Sequence, residues 1–151
     1  MTTVAHARPE DAEALAGLLD ELERFYGGEP SESLDDQVAQ ISDALFSQRP
    51  AASVLLAWDE DKLAGFASYS YLWPAAGFTK SLYLKELYVA QAYRRTGVGK
   101  QLVDALHELA RAEQCSRVEW TTDTDNGAAQ RFYEELGVPA NTSKIFYRST
   151  L

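Results

Sequence analysis

Apolar positions recur at three- and four-residue intervals in two stretches before residue 50 of the chain. Leu15, Leu18, Leu19, Leu22 and Phe25 form the first, and Leu34, Val38, Ile41 and Leu45 the second; each predicts an amphipathic helix. The first helix opens at Pro9-Glu10-Asp11, with proline early and acids in the first turn, and stops at Gly27-Gly28. Thr2 to Arg8 reads as a short strand ahead of it. The period then changes. Ser53 to Trp58 is a compact apolar run, Asp59-Glu60-Asp61-Lys62 is a turn, and the aromatic-rich alternation from Leu63 to Leu72 suits a hairpin partner. A loop, Trp73-Pro74-Ala75-Ala76-Gly77, leads to a long strand from Ser81 to Val89. The helical period returns from about Thr96 to Glu113, with Val98, Leu102, Leu106, Leu109 and Ala110 inward. A strand from Arg117 to Thr121, a helix from Asn126 to Leu136 and a closing strand from Ile145 to Ser149 complete the chain. The order β-α-α-β-β-β-α-β-α-β predicts an α/β fold with a mixed central sheet of about six strands flanked by about four helices. No repeat or linker interrupts it, so residues 1–151 are expected to form one domain.

Composition excludes more than it identifies. With 46% apolar and 25% charged residues the chain is an ordinary globular sequence. No apolar run approaches the ~18 residues of a membrane span, and the N-terminus lacks the basic and apolar regions of a secretory signal. A single cysteine, Cys115, excludes a disulfide framework and a zinc cluster, and reads as a small buried residue rather than a nucleophile. His6 and His107 are far apart with no ligand spacing around them, so no metal site is expected. These features suggest a reduced, cytoplasmic protein with no membrane partner. The net charge of −9 argues against a nucleic-acid partner.

The charge is unevenly spread. Asp20, Glu21, Glu23, Glu29, Glu32, Asp35 and Asp36 crowd one stretch beside Arg24 alone, either a funnel for a cationic partner or a solvated helix face. Lys80, Lys85, Arg94, Arg95 and Lys100 crowd another, beside Glu86. There, Arg94-Arg95-Thr96-Gly97-Val98-Gly99-Lys100 joins the long strand to the third helix. Unpaired N–H groups in a helix's first turn, close backbone approach at glycine and nearby cations make a phosphate cradle. The plainer alternative is a glycine-containing loop whose arginines face water. The P-loop motif fails, because Arg94 and Gln101 stand where glycine and Ser/Thr are required, and a dinucleotide fingerprint fails at Leu102.

The segment Arg94 to Gly99 resembles the Arg/Gln-x-x-Gly-x-Gly/Ala coenzyme A signature of the GCN5-related N-acetyltransferases, the GNAT superfamily. Asn126-Gly127-Ala128-Ala129-Gln130-Arg131-Phe132-Tyr133-Glu134-Glu135-Leu136-Gly137 is similar to that family's second signature, and Glu86-Leu87-Tyr88-Val89 fits the strand preceding the first. The element order matches along essentially the whole chain. Gly65-Phe66-Ala67, the aromatic run from Tyr69 to Trp73 and Leu82-Tyr83-Leu84 look most like the diamine (spermidine/spermine) acetyltransferases. Those enzymes carry two adjacent acids in the long strand, whereas here Lys85 takes the first place and only Glu86 remains.

The resemblance implies an acetyl-CoA-dependent N-acetyltransferase that moves an acetyl group to a primary amine of a small, cationic acceptor. Transfer would be direct, in a ternary complex, since the chain offers no credible nucleophile. An aminoglycoside, a protein lysine or N-terminus, or a catalytically silent acyl-CoA-binding role are the alternatives. Coenzyme contacts are expected from Leu87, Tyr88, Val89, Arg94, Arg95, Thr96, Gly97, Val98, Gly99, Lys100 and Asn126. A backbone N–H of Tyr88 or Val89 would meet the thioester oxygen, and Asn126 would serve as coenzyme ligand, helix cap or both. Tyr133 is implied as the acid that protonates the departing thiolate. Glu86 is the candidate base, since strand alternation groups it with Leu82, Leu84 and Tyr88; the other reading is a structural carboxylate paired with a cation. Tyr26, Trp73 and Phe78 lie in loops that flank the acceptor side in the family. Family members are frequently dimers, which admits a homodimer here.

Overall fold

The computed structural model describes residues 2–151, which divide into two compact units that part between Trp120 and Thr121. The first contains β1 (Thr2–His6), α1 (Ala12–Phe25), α2 (Leu34–Phe46), β2 (Ser53–Asp59), β3 (Lys62–Leu72), β4 (Ser81–Val89), α3 (Val98–Ala112) and β5 (Arg117–Glu119). The second contains α4 (Gly127–Glu135). Short 3₁₀ turns precede α1 and follow β4, at Pro9–Asp11 and Gln91–Tyr93.

The five strands form one sheet in the order β1-β2-β3-β4-β5, antiparallel except for the parallel β4–β5 pair that α3 connects. Each face carries its own core. Leu15, Leu18 and Leu22 of α1 and Ile41 of α2 pack with Val54, Leu56, Phe66 and Tyr88 on one side. Val98, Leu102, Leu106 and Ala110 of α3 pack with Leu55, Ala67, Tyr69, Leu82 and Leu84 on the other. Both helical stripes follow the sequence pattern except at their ends. Leu34, in the first turn of α2, is 47% exposed, and Phe25, the last residue of α1, is 52% exposed.

Two differences from the sequence reading matter. Residues 145–149, expected as a sixth strand, carry no regular structure, and α4 is the only regular element of their unit, so no strand within it offers them a ladder. The second lies inside β4. Ser68 of β3 faces Glu86 while the next residue, Tyr69, faces Leu84, which leaves Lys85 as the extra residue of a β-bulge. A bulge reverses the parity of side chains beyond it. Leu82 and Leu84 point toward α3, whereas beyond the bulge Leu87 and Val89 point there and Tyr88 points toward α1.

Candidate functional site

The site takes shape where β4 hands over to α3. β5 pairs with β4 only at Ser81–Tyr83, so within this unit the stretch from Leu84 to Val89 has no strand neighbour on that side. The Ala90 N–H donates to the Ala64 carbonyl at 2.8 Å, toward β3. Extended residues turn their backbone groups to alternate edges, so the Val89 and Leu87 N–H groups point to the open edge and that of Tyr88 to β3. Of the two backbone donors expected for a thioester oxygen, the geometry favours Val89. Its carbonyl is likewise turned from β3 and accepts from Arg94 Nε at 3.3 Å.

The loop that follows is built for backbone donors. Arg95 has φ 62° and Gly97 has φ 88°, both left-handed, and Gly97 caps α3 without any side chain closing the helix end. The helix's first backbone hydrogen bond runs from Gln101 N–H to the Gly97 carbonyl, so the N–H groups of Val98, Gly99 and Lys100 have no intrahelical acceptor. Together with the helix dipole, this makes a concave donor site for an anion such as a pyrophosphate. The cations divide their work. Arg95 is exposed and has no ion-pair partner among the described residues. Lys100 pairs with Asp104 at 2.7 Å on the outer face of α3. Arg94 lies 4.5 Å over the Phe25 ring and 5.4 Å from that of Tyr88, which turns it toward α1. The Thr96 hydroxyl is taken by the Tyr93 carbonyl. The residues present therefore fit a phosphate-bearing coenzyme through backbone N–H groups and Arg95, with Arg94 held to one side.

Glu86 is half-buried, beyond the bulge. The grouping with Leu82 and Leu84 read from alternation is corrected: Glu86 shares its face with Tyr88, toward α1. The Tyr88 phenol is buried and pushed up to about 12, first by desolvation and then by its hydrogen bond to Glu21. Cys115, expected as buried, is half-buried, and desolvation raises its thiol above the ordinary value, which leaves it a poor nucleophile.

In the second unit, Asn126 caps α4, its Oδ1 accepting from the Ala129 N–H at 3.1 Å. Gln130 Nε2 donates to the Asp123 and Thr124 carbonyls at 3.0 and 2.9 Å, fixing the loop ahead of the helix. Tyr133 lies in the second turn of α4 with its ring 5.4 Å from that of Phe132.

The aromatic residues expected around an acceptor are not brought together. Tyr26 closes α1, its ring 5.2 Å from Phe25, near the end of β4. Trp73 and Phe78 sit in the β3–β4 connection at the other end of β4, where Trp73 Nε1 donates to the Phe78 carbonyl at 3.0 Å. Roughly 20 Å of strand separates the two ends. A cavity of about 350 Å³ does open between α1 and α2, walled by Asp20, Glu23, Glu29, Glu32, Gln37 and Gln40. The acidic stretch thus lines a concavity, which charge counting alone did not reveal. Among the described residues no group of three His, Cys, Asp or Glu could hold a metal, and no helix is long and apolar enough to cross a membrane.

Comparison with known proteins agrees with this construction. The model of the acetyltransferase (GNAT) family matches residues 15–138. The aminoglycoside N(6')-acetyltransferase type 1 of Serratia marcescens is 29% identical over 125 residues, covering 81% of this chain and 85% of that one. The L-ornithine N5-acetyltransferase of Arabidopsis thaliana is 32% identical over 75 residues, half of this chain and 33% of that protein. A solved integron cassette protein from the mobile metagenome of V. cholerae superposes with a TM-score of 0.91 at 31% identity, covering 99% of this chain and 92% of that one. The chain belongs to the GNAT acetyltransferase family and is an acetyl-CoA-dependent N-acetyltransferase.

Proposed function

We propose that residues 1–151 act as one transferase domain that acetylates a primary amine of a small, cationic acceptor by direct transfer in a ternary complex. The observation that carries this reading is the β4–α3 junction, where an open strand edge runs straight into an uncapped helix N-terminus. The named relatives act on amines, an aminoglycoside 6'-amine and the ornithine side chain, and the acidic wall of the α1–α2 cavity suits a polycation of that kind. The likeness to the diamine acetyltransferases in Gly65–Ala67 and Tyr69–Trp73 makes polyamines a further acceptor class, although Lys85 replaces one expected acid. The single thiol, half-buried and unactivated, suits a reduced cytoplasmic setting.

Acetyl-CoA supplies the activated acetyl thioester. Arg95 and the N–H groups of Val98, Gly99 and Lys100 would bind its pyrophosphate, and the edge N–H groups of Leu87 and Val89 would receive its arm, with Val89 N–H donating to the thioester oxygen. An alkyl ammonium of pKa ~10.4 is protonated at pH 7, a deficit of roughly 4–5 kcal/mol for the neutral nucleophile. Glu86 is assigned as the group that takes this proton, directly or through water. Tyr133 is assigned as the donor to the departing thiolate; a free phenol, titrating near ~10, can protonate a thiolate whose conjugate acid is near ~8.5 at modest cost. Asn126 caps α4 and would add a polar contact to the coenzyme arm.

Mass analysis of an acceptor panel incubated with acetyl-CoA tests the reading: spermidine, putrescine, ornithine, an aminoglycoside and a basic peptide. A single acetyl group on a small polyamine, diamine or aminoglycoside is expected. Acetylation of the peptide alone would replace this acceptor class with protein amines.

A further inference from the structure

Two side chains of α1, one helical turn apart, reach the connection between β4 and α3. Glu21 Oε2 accepts from the Tyr88 phenol at 2.6 Å and from the Gln91 N–H at 3.1 Å. Phe25 supports the Arg94 guanidinium 4.5 Å above its ring, and the Tyr88 ring completes the shelf, 6.1 Å from that of Phe25. The three residues so held, Tyr88, Gln91 and Arg94, follow at intervals of three through the segment that joins the open edge to the cradle.

These contacts are more than surface decoration. The Tyr88 side chain is 4% exposed, so its hydroxyl needs a partner inside the protein, and the hydrogen bond to a carboxylate is of the stronger, charge-assisted kind. Gln91 opens the turn that leads to Arg94, and its N–H is fixed by the same carboxylate oxygen. Phe25, half exposed at the end of the α1 stripe, carries the Arg94 guanidinium over its ring, a cation–π contact that ties α1 to the loop. The chain thus invests one face of α1 in the geometry of a loop about seventy residues away.

We propose that Glu21 is a positioning residue for the coenzyme. By holding Tyr88 and Gln91 it sets where the Val89 edge donor stands relative to the first turn of α3, so that edge and cradle engage one ligand together. The proposal rests on the coenzyme reading of that junction. Both donors converge on one oxygen, so a glutamine carbonyl can replace the carboxylate as acceptor, whereas alanine cannot. Loss of Glu21 therefore loosens coenzyme binding without removing a group from the chemistry.

The test combines calorimetric titration with coenzyme A, steady-state kinetics and thermal melting for the wild type, Glu21→Ala, Glu21→Gln, Tyr88→Phe and the Glu21→Ala/Tyr88→Phe pair. Glu21→Ala is expected to weaken coenzyme A and raise KM for acetyl-CoA about tenfold with kcat within about twofold, corresponding to roughly 1.4 kcal/mol. Glu21→Gln recovers most of that loss, and the double variant is no weaker than Glu21→Ala alone, because the two residues act through one hydrogen bond. Tyr88→Phe, which deletes only the hydroxyl, weakens coenzyme A a few-fold and carries the test should Glu21→Ala fail to fold. Unchanged coenzyme affinity in folded Glu21→Ala or Tyr88→Phe, or a loss in kcat at constant KM, overturns the proposal. A wild-type protein that does not bind coenzyme A overturns the cradle reading and this proposal with it; a wild type that binds beside an equally tight Glu21→Ala overturns this proposal alone.

Discussion

Gly65 of β3 lies against Tyr88 of β4 so closely that a Cβ on it would sit 2.9 Å from the Tyr88 carbonyl oxygen, and 3.2 and 3.3 Å from Val98 and Leu102 of α3. One missing side chain thus lets the strand under the open edge and the first turn of the cradle helix close together. Gly65→Ala is expected to cost about 1–3 kcal/mol as overpacking, since the nearest atom is backbone and cannot turn aside. Thermal melting should show a Tm lowered by several degrees, and calorimetry a weaker coenzyme A affinity, because relief of the clash displaces Tyr88 or α3.

Gly97 poses a different constraint. Nothing lies within 4 Å of a Cβ placed there, but φ is +88°. The penalty for an L side chain is therefore conformational, about 1–2 kcal/mol. Gly97→Ala and Gly97→Val should both reshape the entry to α3 and weaken coenzyme A. Gly97→Asn, whose side chain tolerates the left-handed region, should retain more affinity than Gly97→Ala. Equal losses for Asn and Ala would point to steric exclusion of the ligand instead of backbone strain.

Tyr133→Phe removes the hydroxyl assigned to the departing thiolate and leaves the ring beside Phe132. General acid assistance commonly contributes 10²–10⁴-fold, so kcat is expected to fall by about 10²-fold or more with little change in coenzyme A affinity. Single-turnover acetyl transfer checks it, and an unchanged rate removes Tyr133 from the mechanism.

Much of this was legible in the sequence because local periodicity and local turn chemistry agree. α2 runs from Leu34 to Phe46 as its apolar spacing indicated, and the loop turns at Gly97 as its glycine allows, although Arg95 also takes a left-handed φ that no glycine announced. What was hidden depends on partners distant in the chain. The bulge at Lys85 comes from pairing with β3, so alternation carried straight through β4 grouped Glu86 correctly with Tyr88 but wrongly with Leu82 and Leu84. Arg94, expected as one more phosphate ligand, also stacks over Phe25 and Tyr88, a contact that only the fold reveals. Glu21 was one acid in a run of seven; only the fold distinguishes it by bringing two donors to its Oε2. Residues 145–149, Ile-Phe-Tyr-Arg-Ser, have the β-branched and aromatic residues of a strand but no strand in their own unit to pair with.

The tyrosines give the protein a predictable alkaline limit. Desolvation pushes both Tyr71 and Tyr88 up to about 12, against about 10 for an unfolded chain. Above pH 10 the unfolded state releases these protons while the folded state keeps them, so stability falls as pH rises. The contribution is complete below about pH 10 and lost as pH passes through about 12. Denaturant unfolding across this range should show that decline, and Tyr88→Phe should flatten it in part. A stability independent of pH between 10 and 12 would contradict the burial of Tyr88, the less exposed of the two phenols.

The most direct measurement is the initial rate of thiol release with acetyl-CoA and a small polyamine or aminoglycoside varied together. Direct transfer predicts release that requires the amine, with reciprocal plots that intersect because both substrates must be bound at once. Release without amine, parallel plots that indicate an acetylated enzyme, or no release with any small amine despite coenzyme binding would contradict it.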